Sequence, residues 1–469
     1  MSSLDPENWE TFRALAHRAL DEMIEDVMGI RAHPPWQPIP AAVRAAIADD
    51  PLPRAPADPR AVYDAFRENI APYAVDNRNP RFFGWVHGAG TMTGMLAALL
   101  AGGMNVNAGG RDHAAIEVER RVIRWWCEVF GFPATASGYL TTGTSMANLI
   151  GVLVARRSAA GAAVRSEGLA AEPLAGYTSP EAHASLARAF DLAGLGTDAL
   201  RIFSDVPALC SGIASDRAAG MQPFMIIATA GSASTGSMDD LQSLADVARD
   251  EKLWFHVDGA FGALVQLAPE LRHLVAGIER ADSLAFDLHK WLHVPYDSGA
   301  VLVRDGALHQ ATFADHAPYL ARMERGTAGG EPWLTDFGPE LSRGFRALGV
   351  WFTMKTYGLD RFGELIARQC ALARALGERI AATPQLELLT PVTLNIVCFR
   401  YRASDEVNAE LAIEVQERGI AVPSTTRVDG KLALRMNIMN HRTTQADLDA
   451  ALDGVLAVGA ELLGRSTTA

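Results

Sequence analysis

Between residues 80 and 300, short apolar runs bounded by Gly, Ser or Asp alternate with stretches of helical periodicity, and this alternation leaves few folds open. The runs at 138–141, 201–203, 224–228, 253–257, 283–286 and 299–303 are short enough to read as buried strands. Helical connections between strands are what a parallel sheet requires. The predicted class is therefore α/β with a mostly parallel sheet. Such sheets bind ligands beyond the carboxyl ends of their strands, so chemistry is sought where apolar runs stop.

The flanks differ. Asp5-Pro6-Glu7 reads as a capped helix start. Trp9, Phe12, Ala16, Leu20, Met23 and Val27 then recur at helical spacing, giving an amphipathic helix that seeks a partner surface. The prolines from Pro34 to Pro59 read as an extended arm, broken by a short helix over 41–48. Beyond the strand-rich region, 304–345 is loop-like, and helices are predicted over 345–357 and 359–382. A strand is expected over 393–402, a hairpin turn at Val428-Asp429-Gly430-Lys431, and a last helix boxed by Thr444 and Asp447. These features divide the chain into an N-terminal helical and proline-rich arm (1–80), a large α/β domain (81–357) and a small C-terminal α+β domain (358–469).

Composition excludes several functions. With 42 basic and 55 acidic residues the net charge is −13, against general binding to nucleic-acid phosphates. The N-terminus lacks a basic start and an apolar core, and no apolar stretch approaches the ~20 residues of a membrane helix, so neither a leader nor a membrane partner is expected. Cys127, Cys210, Cys370 and Cys398 are too scattered for a metal or disulfide pattern, which fits a reducing, cytoplasmic setting.

Only four of the 42 basic residues are lysines, so chemistry that needs an amine has four candidates. Lys252 sits in a charged helix end, Lys355 in a helix and Lys431 beside a turn. Lys290 ends an apolar strand, in Ser283-Leu-Ala-Phe-Asp-Leu-His-Lys-Trp-Leu-His-Val-Pro-Tyr296. Burial there desolvates a charged amine and favours the neutral nucleophile. A second strand ends in Phe255-His256-Val257-Asp258-Gly259-Ala260-Phe261-Gly262. A third runs through Gly138-Tyr-Leu-Thr-Thr-Gly-Thr-Ser-Met-Ala-Asn148 into a helix, where free N–H groups and hydroxyls favour phosphate. Taken singly, each has an ordinary structural reading: a snorkelling lysine, a helix cap, a capped helix start.

Together they are more specific. A phosphate cradle, then a carboxylate, then a lysine 32 residues beyond it are the three things pyridoxal phosphate needs. Its aldehyde takes an amine as a Schiff base, its ring nitrogen takes an anion, and its phosphate takes a helix terminus.

The order and wording of these segments resemble the group II pyridoxal-phosphate decarboxylases, which include aromatic-L-amino-acid, tyrosine, histidine and glutamate decarboxylases. The resemblance runs from Asn79-Pro-Arg-Phe-Phe83 to Asn440-His-Arg-Thr443, and the pairing of His-Val-Asp258-Gly-Ala-Phe-Gly with Asp-Leu-His-Lys290-Trp is its most specific part. It implies a fold-type I (transferase-like) large domain and a cytoplasmic homodimer with shared active sites. Lys290 is then the Schiff-base lysine and Asp258 the partner of the ring nitrogen. Thr144 and Ser145 hold the phosphate, with His289 within reach of it. His183, in Thr-Ser-Pro-Glu-Ala-His-Ala-Ser185, stacks on the cofactor ring, and Ala260 packs on the opposite face. Ala230-Gly-Ser-Ala-Ser234 resembles a turn near the cofactor, although Ala233 departs from a hydroxyl residue. Tyr319, in His-Ala-Pro-Tyr-Leu, resembles the loop tyrosine that protonates Cα after carbon dioxide leaves; a tyrosine there favours simple decarboxylation over aldehyde formation. Arg343 falls in a segment that supports the substrate side of the site.

The implied substrate is an L-amino acid. Members acting on aromatic amino acids carry an aromatic-Pro-Thr segment after Phe-Phe, whereas this chain reads Phe82-Phe-Gly-Trp85-Val-His87-Gly88. Trp85 suits an aromatic pocket, and His87 either binds a polar or acidic side chain or sits in the core. An aromatic substrate is the first expectation and an acidic or polar one the alternative. Another fold-type I activity (aldehyde synthase, aminotransferase or carbon–carbon lyase) and a non-catalytic dimeric protein that kept the fold also stay open.

Overall fold

The structure is a computed structural model and describes residues 3–169, 173–315 and 322–466. The chain divides into two compact units: Val86–Ala375 with Pro391–Val397, and Met1–Trp85 with Leu376–Thr390 and Cys398–Ala469.

In the first unit, seven strands form one sheet: β1 (Ser137–Thr141), β2 (Leu174–Thr178), β3 (Leu200–Ile202), β4 (Gln222–Thr229), β5 (Trp254–Asp258), β6 (Ser283–Asp287) and β7 (Gly299–Val303). The order is β1-β7-β6-β5-β4-β2-β3. Strands β2 to β6 pair in parallel, and β7 runs antiparallel to both β6 and β1. The carboxyl ends of β1, β2, β4, β5 and β6 therefore share one edge, and the predicted site residues lie just past those ends. Every residue of β2, β6 and β7 is buried, as expected for central strands covered on both faces. One core cluster joins Leu186, Phe190 and Phe224 to Ile227, and another joins Tyr139, Ile150, Val154 and Val301. Each such side chain contributes about 1.5–3 kcal/mol by leaving water.

Six of these seven strands match the apolar runs within a residue or two, and β2 is an addition. Pro173 and Gly176 make its sequence look like a loop. In the fold Gly176 is required, because a Cβ there would stand 2.5 Å from the Phe190 ring.

In the other unit, a small sheet has the order β10-β11-β9-β8: β8 (Leu386–Leu388), β9 (Ile396–Tyr401), β10 (Ser424–Val428) and β11 (Lys431–Asn437). The predicted hairpin joins β10 to β11, with positive φ at both Asp429 (48°) and Gly430 (79°), as a tight two-residue turn needs. Thr444 and Asp447 box the start of the Gln445–Ser466 helix, with Thr444 N donating to Asp447 Oδ2 at 2.8 Å.

Two expectations for the N-terminal residues are corrected. The first helix runs Trp9–Met28, and its cap is Asn8, whose side chain accepts from Thr11 N at 3.0 Å, so Asp5 lies outside it. The extended reading fails at its last proline: Asp58 caps the Pro59–Asn69 helix, and Pro59 occupies the first turn, where its missing N–H costs nothing. No residue of the Trp9–Met28 helix is buried in the single chain; Trp9, Phe12, Met23 and Met28 are exposed. Among the described residues, no helix is long and apolar enough to cross a membrane.

Candidate active site

Three strand ends build the site. β1 stops at Thr141, and the chain turns through Gly143 into the Thr144–Ala160 helix. Neighbouring backbone is very close here: a Cβ on Gly299 would stand 2.6 Å from the Gly143 Cα. The first backbone N–H of this helix, on Thr144, donates to Asp287 Oδ1 at 2.7 Å. The Thr144 hydroxyl is buried with no hydrogen-bond partner in the protein. Ser145, next along, is exposed. A helix start that already draws a carboxylate oxygen and keeps a buried hydroxyl in reserve is suited to an anion.

β6 stops at Asp287 and leads through His289 to Lys290. The Lys290 amine lies 2.8 Å from Asp287 Oδ2 and is mostly buried. Asp287 thus joins the lysine to the helix start, a role the sequence reading did not assign. His289 accepts at Nδ1 from Ser298 N at 3.1 Å, so its proton sits on Nε2, 3.7 Å from Asp287 Oδ2. Burial lowers the affinity of His289 for a second proton, partly offset by Asp287.

The segment bearing His87 is pressed onto this lysine. A Cβ on Gly88 would meet the carbonyl oxygens of His289 at 2.1 Å and Lys290 at 2.4 Å, so only glycine passes. His87 Nδ1 is 2.9 Å from the Tyr296 hydroxyl, and the Tyr296 ring lies 4.4 Å from the His289 ring. Burial, then Lys290 and His289, keep His87 neutral by lowering its pKa.

β5 stops at Asp258, which is buried. Ala260 N donates to Asp258 Oδ1 at 3.2 Å, and Asn148 Nδ2 donates to Oδ2 at 2.9 Å. Burial pushes this carboxyl up; the Asn148 donor, Lys290 and His183 pull it back toward the ionised form. His183 is exposed and accepts at Nδ1 from Ser185 N at 3.2 Å. The Ser185 hydroxyl is 2.9 Å from that same nitrogen and 3.3 Å from Asn148 Nδ2. Asn148 therefore ties the Asp258 carboxylate to the His183 segment.

The turn at Ala230–Ser234 also lies at this edge: Ala230 N donates to Asp258 O at 2.8 Å, and a Cβ on Gly262 would stand 2.2 Å from Ala230 O. The structure thus brings Thr144, His183, Asp258, Ala260, His289 and Lys290 to one sheet edge, with His87 against the lysine. Tyr319 lies outside the described residues. Trp85 belongs to the other compact unit, where the residue is 57% exposed and its carbonyl accepts from Arg435 Nη1 at 2.9 Å.

Arg343 is held within the core. Its side chain is fully buried and lies 4.0 Å over the Tyr139 ring. It donates to the carbonyls of Ala108 and Leu140 at 3.1 and 2.6 Å, and to Glu119 at 2.7 Å. The reason is local: Glu119 is buried on the helix that packs on β1, and a buried carboxylate needs a cation. Arg343 supports the β1 end from behind.

Two buried histidines contribute to the pH dependence of stability. Burial pushes both His256 and His309 down to about 3. In the unfolded chain a histidine takes its proton near pH ~6.5. The unfolded state then binds more protons, so this share of stability is complete above that pH and is lost as pH falls toward the folded value. Urea unfolding is expected to show a loss of up to about 1.4 kcal/mol per pH unit for each histidine below pH ~6.5. His309→Gln removes one share; a slope unchanged by that substitution would contradict it.

Comparisons with known proteins agree with this geometry. Residues 40–402 match the pyridoxal-dependent decarboxylase conserved domain. An aromatic-L-amino-acid decarboxylase of Bacillus atrophaeus is 32% identical over 470 residues, covering 97% of this chain and 96% of the relative. Among solved structures, the Oryza sativa TDC with PLP and tryptamine superposes with a TM-score of 0.89 at 26% identity, covering 98% of this chain and all of the other. The glutamate decarboxylase domain of a Vibrio parahaemolyticus diaminobutyrate-pyruvate transaminase and L-2,4-diaminobutyrate decarboxylase gives a TM-score of 0.86 at 27% identity, covering 97% of each chain.

Proposed function

Because the chain belongs to the pyridoxal-dependent decarboxylase family, we propose that it removes the carboxyl group of an aromatic L-amino acid as carbon dioxide and releases the amine. The observation that carries this reading is the meeting of Lys290, Asp258 and the Thr144 helix start at one sheet edge. Pyridoxal phosphate is the cofactor, and the residues present fit it. A buried threonine hydroxyl without a protein partner sits at a helix N-terminus, a buried carboxylate ends β5, and a lysine follows β6.

When bound, the cofactor supplies an aldehyde carbon and an electron-poor ring that accepts the electron pair left by departing carbon dioxide. In this reading Lys290 is the amine that would hold the cofactor through its aldehyde. Thr144 and Ser145 bind the phosphate, with the His289 ring beside them. Asp258 holds a proton on the ring nitrogen. His183 and Ala260 are the residues that would hold the cofactor ring between them. Tyr319 returns one proton to Cα in place of the lost carboxyl group, which balances the reaction to amine and carbon dioxide.

Aromatic specificity is supported by the named activity of the Bacillus atrophaeus relative. The hydrogen-bonded His87–Tyr296 pair beside Lys290 favours a second reading, an acidic or polar amino acid. A cytoplasmic homodimer belongs to the same proposal, because the exposed apolar residues of the Trp9–Met28 helix gain by meeting a second copy.

A panel of L-amino acids scored for carbon dioxide and amine tests this. Aromatic substrates are expected to give both in equal amounts. Turnover confined to acidic or polar amino acids would select the second reading, and none with any amino acid would refute both. In the same panel Tyr319→Phe is expected to lower amine formation about 10²-fold or more, the scale of losing a general acid, and to raise aldehyde output. An unchanged product ratio would remove Tyr319 from the mechanism.

A further inference from the structure

Asp258 is backed by a line of hydrogen bonds that runs away from the substrate side through the core. Asn148 Nδ2 lies 2.9 Å from Asp258 Oδ2, and Asn148 Oδ1 lies 2.9 Å from His256 Nε2. His256 Nδ1 lies 2.7 Å from Ser283 Oγ, which lies 2.7 Å from Trp254 Nε1. Asn148 and His256 are wholly buried. His256 and Asp258 stand two apart on β5, so both side chains point to the face covered by the Thr144–Ala160 helix. Three residues after Asn148 on that helix, Gly151 makes room for the imidazole: a Cβ there would stand 2.7 Å from His256 Cε1.

Elementary chemistry sets every proton in this line. A carboxylate accepts only, so Asn148 must turn its N–H₂ to Asp258 and its carbonyl to His256. His256 must then carry its proton on Nε2 and accept at Nδ1. The acceptor faces Ser283, whose hydroxyl donates to it and accepts from the indole N–H of Trp254. All four donors point toward Asp258.

We infer that Asn148 and His256 are positioning residues for the reaction: a neutral relay of donors that fixes the Asp258 carboxylate in place and keeps it ionised against the cofactor's ring nitrogen. The inference rests on Asp258 holding that nitrogen, as proposed above. Burial favours the protonated acid, and the groups that face Asp258 and oppose this are Lys290 after β6 and His183 before the Ser185–Leu192 helix. From β4 and β6 the paired residues are Thr229 and Ala285, neither of which carries charge. The Ala260 N–H opposes it too, and the relay adds a further opposing influence without adding a charge, because burial keeps His256 neutral. Hydrogen bonds in such a chain polarise one another, so the far members matter to the last.

The test uses the holoenzyme. Removing one donor to a buried carboxylate is expected to lower kcat about 10–100-fold in Asn148→Leu, with KM little changed. The pH midpoint of the bound cofactor's visible absorption should move by about one unit. His256→Leu should move it the same way, while His256→Gln, which keeps a donor toward Asn148, should restore the original midpoint. A filler role would lower stability and leave the midpoint in place, and that result overturns the relay. Because either leucine variant can fail to fold, nitrogen NMR of the unaltered protein gives an independent reading: His256 neutral with its proton on Nε2 supports the relay, and a charged or Nδ1-protonated His256 overturns it. Asp258→Asn separates the two levels. If it shifts the absorption while Asn148→Leu does not, the relay falls and the site reading stands. If Asp258→Asn changes nothing, the site reading falls and the relay's catalytic part falls with it.

Discussion

Lys290→Ala is expected to lose roughly 10⁴-fold or more in turnover, the scale on which deleting a covalent nucleophile acts. Borohydride reduction of the wild-type holoenzyme should fix the cofactor to the peptide that contains Lys290, and the alanine variant should release it on gel filtration. No other lysine can stand in. Lys252 ends a helix in the left-handed region, Lys355 lies in the Arg346–Tyr357 helix, and Lys431 pairs with Glu387 at 2.8 Å. The effect is separable from the loss of a buried ion pair. Lys290→Arg keeps a cation beside Asp287, now 2.8 Å from the lysine amine, yet a guanidinium does not give up its proton to become a nucleophile. It should therefore be as inactive as alanine while unfolding at nearly the wild-type temperature. Covalent capture at any other residue, or substantial activity in either variant, would overturn the assignment.

That lysine was legible because the apolar centre of β6, Leu284-Ala-Phe286, gives way to Asp287, His289 and Lys290 at the strand end. The same holds for Asp258 and for the turn before Thr144. In each case the signal is local, a strand end followed by a residue with reactive chemistry. The residues that escaped notice act across long stretches of chain. Asp287 reaches back 143 positions to Thr144 N, and Asn148 spans 110 to Asp258 and 108 to His256. Nothing in one sequence announces those pairings. For Arg343 the motif was readable, but its pairing was not: the buried Glu119 that claims its guanidinium lies 224 positions away. On the fold side, the proline-rich stretch hid the Pro59–Asn69 helix, since proline at a helix start and proline in an extended arm look alike without the cap being weighed.

Asp258→Asn tests the other half of the site. The amide keeps the size of the side chain and accepts no proton from a ring nitrogen, so the electron sink is weakened while the phosphate cradle and Lys290 remain. A drop of roughly 10³-fold in kcat is expected, comparable to leaving one buried charge without its partner. Cofactor should still bind, more weakly, and KM should move far less than kcat. The pH dependence follows in sign from the burial that raises this carboxyl. In the wild type, acidification protonates Asp258 from a higher pH than an exposed aspartate would allow, so activity should fall on the acid side as the carboxylate is lost. In Asp258→Asn the part of that limb owed to Asp258 should vanish, because position 258 no longer ionises. The asparagine change also disturbs its neighbour: Asn148 must now face an amide, and either its donor or that of the new residue is left without an acceptor unless the pair rotates. Rotation would reverse the Asn148 carbonyl that receives the His256 proton, so the variant should shift the His256 tautomer as well. Wild-type turnover in Asp258→Asn, or an acid limb unchanged from the wild type, would remove Asp258 from the reaction.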